Sequence, residues 1–574
     1  MRGTFRLLSS VVQRRPFYVT TPIFYVNAEP HLGHLYTAVV ADAIQRFEKL
    51  IDPNCNVIFS TGTDEHGIKI QQAAAKANLP LYEYCTNVSN EYKELFKEYN
   101  VGYTDFIRTT EERHKKAVTH FWGKLVANDY IYKAKYSGWY SVNDESFVPE
   151  THVKDELKDG ETVKVSMESG HRVEWTEETN YMFRLSAFKT HLQRWLSDDG
   201  VVTPHKFQKQ LQDMLKSEHY FPDISVSRPS SRVHWAIRVP GDDDQSIYVW
   251  LDALINYLSV LGYPDEDLMK AKGRPWPADV HVVGKDILKF HGIYWPAFLL
   301  GAGLPPPRRL AAHAHWTVGG AKMSKSGACV RPRAAPAPPP GLRYALLREA
   351  TAHADASECR APPACDYSEA KLINICNSEL ADTLGNLASR CVGAALNPRG
   401  ELPALRDEPL RALKGLEETE RLLLECSRLP ETCYKFYTNY QFYKVADAVI
   451  HVLHIANLFF ETTKPWELKK KPECQPELDT VLHITMETLR ICAIILQPII
   501  PDLCETLLNK LQVESNCRTW QHCETPSWDD ANAISETKNI QSGKFVLFQR
   551  IYKDKKEIDK LVVEQKKEKK KASV

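Results

Sequence analysis

From Phe17 to Tyr25 the chain is almost continuously apolar and aromatic, the pattern of a strand buried on both faces. A turn, Asn27-Ala-Glu-Pro30, leads into His31-Leu-Gly-His34. Leu35, Val39, Ala43 and Phe47 then recur at a regular spacing that predicts a helix with one apolar face. Val57-Ile-Phe59 predicts a second strand, which runs into Thr61-Gly-Thr-Asp-Glu-His-Gly67. Strand, loop, helix, strand is the start of an α/β doubly wound parallel sheet of Rossmann-like type, in which ligands sit beyond the carboxyl ends of the strands. Both polar clusters fall there.

Residues 130–229 break the pattern. They are rich in charge, Trp and Tyr, with short alternating runs such as Thr162-Val-Lys-Val-Ser166, and read as an insertion into the sheet domain. Strands are expected again at His281-Val-Val283 and between Leu310 and Val318, so 17–129 and 230–318 form the two halves of the sheet domain. Residues 330–365 hold seven Pro and ten Ala. Pro338, Pro339 and Pro340 are expected to forbid a helix and favour an extended loop, within a joining segment at 319–368. Beyond it, Tyr440 to Phe460 and the stripe Leu482, Met486, Leu489, Ala493, Leu496 predict an α-helical bundle over 369–540.

Composition changes little in this picture. The 574 residues, 43% hydrophobic and 25% charged, exclude a disordered acidic chain, a collagen or a mucin. With 73 basic and 73 acidic residues, a uniform field for coating nucleic acid is excluded, though local basic surfaces are not. Residues 1–16 carry Arg2, Arg6, Arg14 and Arg15 and no acid, the composition of a mitochondrial transit peptide. The Lys-rich end, 541–574, reads as a solvated tail. The 14 Cys are scattered without a C-x-x-C pair, as in a reducing compartment. No run of eighteen apolar residues is present, so no membrane span is expected.

The candidate chemistry lies in two motifs. His31-Leu-Gly-His34 occupies a strand-to-helix loop, where backbone N–H groups and the helix dipole favour an anion. Gly33 lets a nucleotide approach the backbone, and two imidazoles can donate to phosphate. Lys322-Met-Ser-Lys-Ser326 supplies two ammonium groups on a loop that follows Gly319 and Gly320. Either motif alone could be a surface cap or a solvated basic loop.

In this order and this far apart, the two motifs resemble the signatures of class I aminoacyl-tRNA synthetases. Thr61-Gly-Thr-Asp-Glu-His-Gly67, Val249-Trp-Leu-Asp-Ala253, Gly284-Lys-Asp-Ile287 and Lys464-Pro-Trp466 are similar to the methionyl-tRNA synthetase family, mitochondrial type. The resemblance implies a catalytic sheet domain with a connective insertion, then an anticodon-binding bundle. It implies a methionine pocket of Ile23, Tyr25, Trp250, Ala253, Tyr257 and His291, with Asp64 on the α-ammonium. It puts His31, His34, Gly284, Asp286, Lys322 and Lys325 on ATP, with His31, Gly33, His34, Lys322 and Lys325 as the catalytic set. Asn386, Arg390 and Trp466 would read the anticodon.

The expected reaction is ligation of methionine to tRNA(Met) through methionyl-adenylate, with ATP and Mg2+, by a monomer in the mitochondrial matrix. Many family members hold zinc on Cys knuckles in the insertion. Tyr130 to Pro229 has no Cys, so no structural zinc is expected. After Ser326 the family usually continues Leu-Gly-Asn; this chain reads Gly327-Ala-Cys-Val-Arg-Pro. That departure leaves a catalytically impaired tRNA-binding protein as one rival. Another class I synthetase for an aliphatic amino acid is the second, although the chain has no room for the large editing insertion of those enzymes.

Overall fold

A computed structural model describes residues 15–141, 146–148, 150–158, 161–167, 170–216, 221–318, 321–323, 330–354, 365–529, 537–540 and 543–552. The expectations for residues 1–14, Lys325 and the Lys-rich run from 553 lie outside these.

Seven parallel strands make the main sheet. They are β1 (Phe17–Thr20), β2 (Phe24–Tyr25), β3 (Val57–Asp64), β4 (Asp105–Arg108), β5 (Val202–Thr203), β6 (Val280–Gly284) and β7 (Leu310–His313). The order β5-β7-β6-β1-β3-β2, with β4 also on β3, puts β1 at the centre. Thr20 there lies beside both Ser60 and His281. Helix α1 (Leu32–Ile51) packs on this sheet through Leu35, Val39, Ala43 and Phe47, the residues whose spacing predicts it. The expected strand at 17–25 is two strands. Pro22 has no N–H for the ladder, so the chain breaks there and re-enters beside the far end of β3, where Tyr25 partners Asp64.

The insertion is built on antiparallel pairing of Ile131–Ser141 with Glu174–Phe183. The main sheet nevertheless takes its edge strand β5 from inside the 130–229 stretch. Arg15, inside the expected presequence, donates to the carbonyls of Pro275 (2.6 Å) and Pro277 (2.9 Å) and pairs with Asp279.

Helices dominate the remainder. They include α2 (Val249–Leu254), α3 (Pro339–Ala354), α4 (Asn386–Val392), α5 (Glu417–Thr438), α6 (Phe442–Thr463) and α7 (Gln475–Leu496). The expected extended loop at the prolines is overturned: α3 begins at Pro339. Proline fits the first turn of a helix, where its missing N–H would have had no partner anyway. α7 is buried on every side, not along one stripe, because it is the central helix against α5, α6 and Pro501–Lys510. α6, with its continuation to Leu468, is long and apolar enough to cross a membrane by composition, but it packs between α5 and α7 as a core helix.

One buried residue joins the halves. Arg343, on α3, is 1% exposed. It pairs with Asp42 of α1 and donates to the carbonyls of Ile499 (2.8 Å) and Pro498 (3.1 Å) in the bundle. Sheet domain, joining helix and bundle thus share one guanidinium, and its many acceptors offset the cost of burying the charge. Residues 543–552, expected in the solvated tail, dock instead: Leu547 and Phe548 are buried, and Asn377 exchanges two hydrogen bonds (2.8 and 2.9 Å) with the backbone of Ile551.

Candidate functional site

The carboxyl ends of β1, β3, β6 and β7 open on one edge of the sheet, together with the start of α1. There His31 caps α1. Its Nδ1 accepts from Gly33 N–H (3.0 Å), and its own N–H donates to Nδ1 of His34 (3.1 Å). The rings stack with centroids 3.6 Å apart. With each Nδ1 acting as acceptor, the neutral rings carry their protons on Nε2. Both imidazoles therefore present a donor at a helix N-terminus that already favours an anion. A Cβ on Gly33 would meet the His31 ring at 3.0 Å, so glycine also makes room for the cap itself.

The backbone of Lys322, the described residue at the head of the lysine motif, lies opposite Thr317 in a short antiparallel pair, and further along the carbonyl of Val330 accepts from Leu32 N–H (3.0 Å). The chain thus comes back onto the first turn of α1. Beyond β6, Asp286 pairs with His315 (2.8 Å), and a Cβ on Gly284 would collide with the Asp286 carboxylate at 2.7 Å. His313, at the end of β7, contacts Thr37 of α1 (2.9 Å), and burial pushes its pKa down to about 4.

Next to this polar corner is an aromatic one. The Tyr257 hydroxyl meets His291 Nε2 at 2.7 Å, and His291 Nδ1 donates to the Ile287 carbonyl (3.0 Å). That carbonyl fixes the tautomer, so Tyr257 donates and His291 accepts. Trp250 stacks on Phe290 at 3.7 Å and stands edge-on to His291 at 6.5 Å. Ile23 packs in the cluster that holds Val260 and Leu261, close after Tyr257. Ala253 is buried on α2 between these groups.

A second histidine lies beneath Tyr257. His281 stacks under it at 4.2 Å, accepts from the Trp295 indole (3.3 Å) and contacts Thr20 Oγ1 (2.6 Å). Burial pushes His291 down to about 4 and His281 well below the usual range, so both are neutral and the pocket floor is apolar, aromatic and uncharged.

Of the residues expected for methionine and ATP, Tyr25 and Asp64 end the paired strands β2 and β3, and the two histidines, Gly284, Asp286 and the Tyr257 cluster lie at the same ends of the sheet, while Lys325 lies outside the described residues. Sequence reading missed a layer beneath them. Asp252 is fully buried and bonds His66 Nδ1 and His114 Nε2, each at 2.7 Å. Burial works against its charge, yet the two facing histidines hold its pKa at about 2. An acid inside the apolar run Val249-Trp-Leu-Asp-Ala253 was the available signal; His114 gave none.

The second expected site lies on the bundle. Asn386 and Arg390 share a face of α4, one turn apart. The Arg390 guanidinium sits 4.6 Å from the Phe460 ring centroid and 5.6 Å from that of Trp466, and pairs with Glu461 at 2.8 Å. Trp466 is brought there because α6 ends at Lys464 in a left-handed conformation (φ 45°), after which Pro465 starts a new helical turn. Among the described residues, no group of three or more His, Cys, Asp or Glu is arranged to hold a metal ion.

Comparisons with known proteins identify the family. Residues 17–392 match the family model for tRNA synthetases class I (M), and residues 420–573 that for the anticodon-binding domain of tRNA ligase. The chain is 47% identical to the mitochondrial methionine–tRNA ligase of Mus musculus, covering 87% of this chain and 86% of that one. It is also 47% identical to the Homo sapiens mitochondrial enzyme, over 88% and 85% of the two chains. The crystal structure of Mycobacterium tuberculosis methionyl-tRNA synthetase bound by methionyl-adenylate superimposes with a TM-score of 0.82 at 33% identity, covering 93% of this chain and 100% of that one.

Proposed function

Because the chain belongs to the class I methionyl-tRNA synthetases, we propose a division of labour among its residues for joining methionine to tRNA through methionyl-adenylate. The relatives are mitochondrial enzymes, and this one is mitochondrial too. Its place there is the matrix, reached by a presequence within the first sixteen residues, and it works as a monomer.

The reading is carried by one observation: two Nε2 donors at the start of α1 share a sheet edge with the neutral Tyr257–His291–Trp250 pocket. A thioether side chain suits an uncharged aromatic pocket in which a hydroxyl and an imidazole are already bonded to each other. Asp64, beside Tyr25, holds the α-ammonium; Ile23 and Ala253 complete the wall. The methionine carboxylate is anionic at neutral pH, so its attack on the α-phosphorus needs position and charge stabilisation more than a base. His31 and His34 act on the phosphates, Gly284 and Asp286 contact the ribose, and Lys322 and Lys325 follow the leaving pyrophosphate. Asp286, the carboxylate beyond β6, is engaged by His315, so magnesium would be an ion carried on ATP's own phosphate oxygens and water. On the bundle, Trp466 stacks an unpaired anticodon base while Asn386 and Arg390 bond to base edges.

The joining segment supports catalysis over the binding-protein reading. Leu342, Leu346 and Leu347 of α3 are core residues despite the unusual composition around them. The test is methionine-dependent pyrophosphate exchange. His34→Ala or Lys325→Ala should slow it by ~10²-fold or more. Exchange at the parent rate in either variant refutes the assignment.

A further inference from the structure

Asp252 belongs to none of the roles above, yet both of its carboxylate oxygens are bonded. It lies one residue before Ala253 and two after Trp250, on α2. Its Oδ2 meets Nδ1 of His66, two residues beyond Asp64 in the turn that leaves β3. Its Oδ1 meets Nε2 of His114, on the helix Glu112–Ala127. All three side chains are buried; Asp252 and His114 are inaccessible and His66 is 4% exposed.

The chain of contacts runs on past the carboxylate: His114 Nδ1 lies 3.0 Å from the Ser259 hydroxyl. Both carboxylate oxygens of Asp252 thus have an imidazole partner, His66 through Nδ1 and His114 through Nε2, which offsets the cost of burying the charge.

We propose that Asp252, held from its other side by His114, is a positioning residue for methionine: through His66 it locks the turn carrying Asp64 against the helix carrying Trp250 and Ala253. The inference rests on the assignment of those residues to the methionine site. The same turn is pinned from other sides. Glu65 bonds Arg108 (2.7 Å) and Thr110 (2.5 Å), and Gly67 N–H bonds the Trp235 carbonyl (3.0 Å). Those contacts hold the turn to β4 and to the segment before α2. The His66–Asp252 bond ties it directly to the pocket helix. Ser259, two residues after Tyr257, brings a further pocket element into the chain. The nucleotide-facing groups, His31, His34, Gly284 and Asp286, lie on other elements.

The expectation is selective. Losing the tie displaces Asp64 relative to the side-chain pocket, and misplacing a binding group by a fraction of an ångström costs about tenfold or more. Methionine-dependent pyrophosphate exchange, with enzyme concentration set by active-site titration, reads KM for methionine and for ATP separately. Asp252→Asn should raise the methionine KM about tenfold or more and leave the ATP KM within about twofold. His66→Leu should do the same. His66→Asn, whose amide N–H falls where Nδ1–H was, should restore a methionine KM near the parent's. The two His66 variants keep the test alive if Asp252→Asn fails to fold. An unchanged methionine KM in His66→Leu, or a loss of titratable sites with both KM values intact, overturns the proposal. A parent enzyme without methionine-dependent exchange would instead remove the site assignment on which it rests.

Discussion

The proposed amino-acid pocket and the proposed anticodon face are made of similar residue types, aromatics beside polar side chains, but they are built in opposite ways. In the pocket the histidines and the tyrosine are paired within the buried interior: Tyr257 with His291, His291 with the Ile287 carbonyl, His281 with Trp295 and Thr20. On the bundle Arg390 is half-buried against Trp466 and Phe460 and holds a carboxylate, Glu461, that is 56% exposed. A small flexible ligand must find its site already formed, because little binding energy is available to organise it. RNA brings many contacts of its own, so its face can stay wet and exchange one partner for another.

If the two regions are as separable as they look, a single truncation should expose it. Trp466→Ala removes a stacking platform worth about 1–3 kcal/mol per base, so kcat/KM for tRNA should fall by about tenfold to a hundredfold. Methionine-dependent pyrophosphate exchange should stay at the parent rate. A matching loss in both assays would show that the bundle shapes the pocket, with the buried Arg343–Asp42 pair the first suspect for the connection.

Acid should separate them in the other direction. Burial holds His291 and His313 at about 4 and His281 well below its usual value, against about 6.5 for an unfolded histidine. Between those limits the unfolded chain binds more protons than the folded one. Stability is therefore fully present above about pH 6.5 and is lost as the pH falls towards 4. The Arg390–Trp466–Glu461 cluster contains no histidine. Hydrogen exchange should show peptides around 281–295 losing protection between pH 6.5 and 5 before those of α4 do. Equal loss in both peptides would end the distinction.

How much of this could be read from the chain follows the same divide between local and distant. The His31–His34 cap of α1 was legible because its residues lie within four consecutive positions. α1 and the bundle helices were legible because their apolar periodicity runs for several turns. What escaped was long-range. Arg343 and Asp42 are 301 positions apart, and His114 is 138 from Asp252. No local pattern marks either pair. The two-residue edge strand β5 is too short for a period, and Pro339 misleads because proline forbids a helix interior but suits its first turn. Cys-free composition likewise said nothing of the fold of the insertion, which is an antiparallel sheet held by backbone pairing.

The smallest expected effect tests the idea of exchangeable partners most directly. Arg390 must give up Glu461 to bond a base, and Glu461 itself repels incoming phosphate. An exposed pair of this kind is worth about 0–1 kcal/mol, so the change should be no more than about fivefold. Its sign is the informative part. If Glu461 were there to build the site, Glu461→Gln would weaken tRNA binding. If it is a placeholder, the substitution should lower KM for tRNA about twofold to fivefold and make the enzyme more tolerant of altered anticodons, because Arg390 is then free to settle on any acceptor. The gain should shrink as salt is raised, since part of it is relief of repulsion between Glu461 and the RNA backbone. A higher KM with unchanged discrimination would make the bundle face preorganised after all, and so would erase the contrast with the pocket.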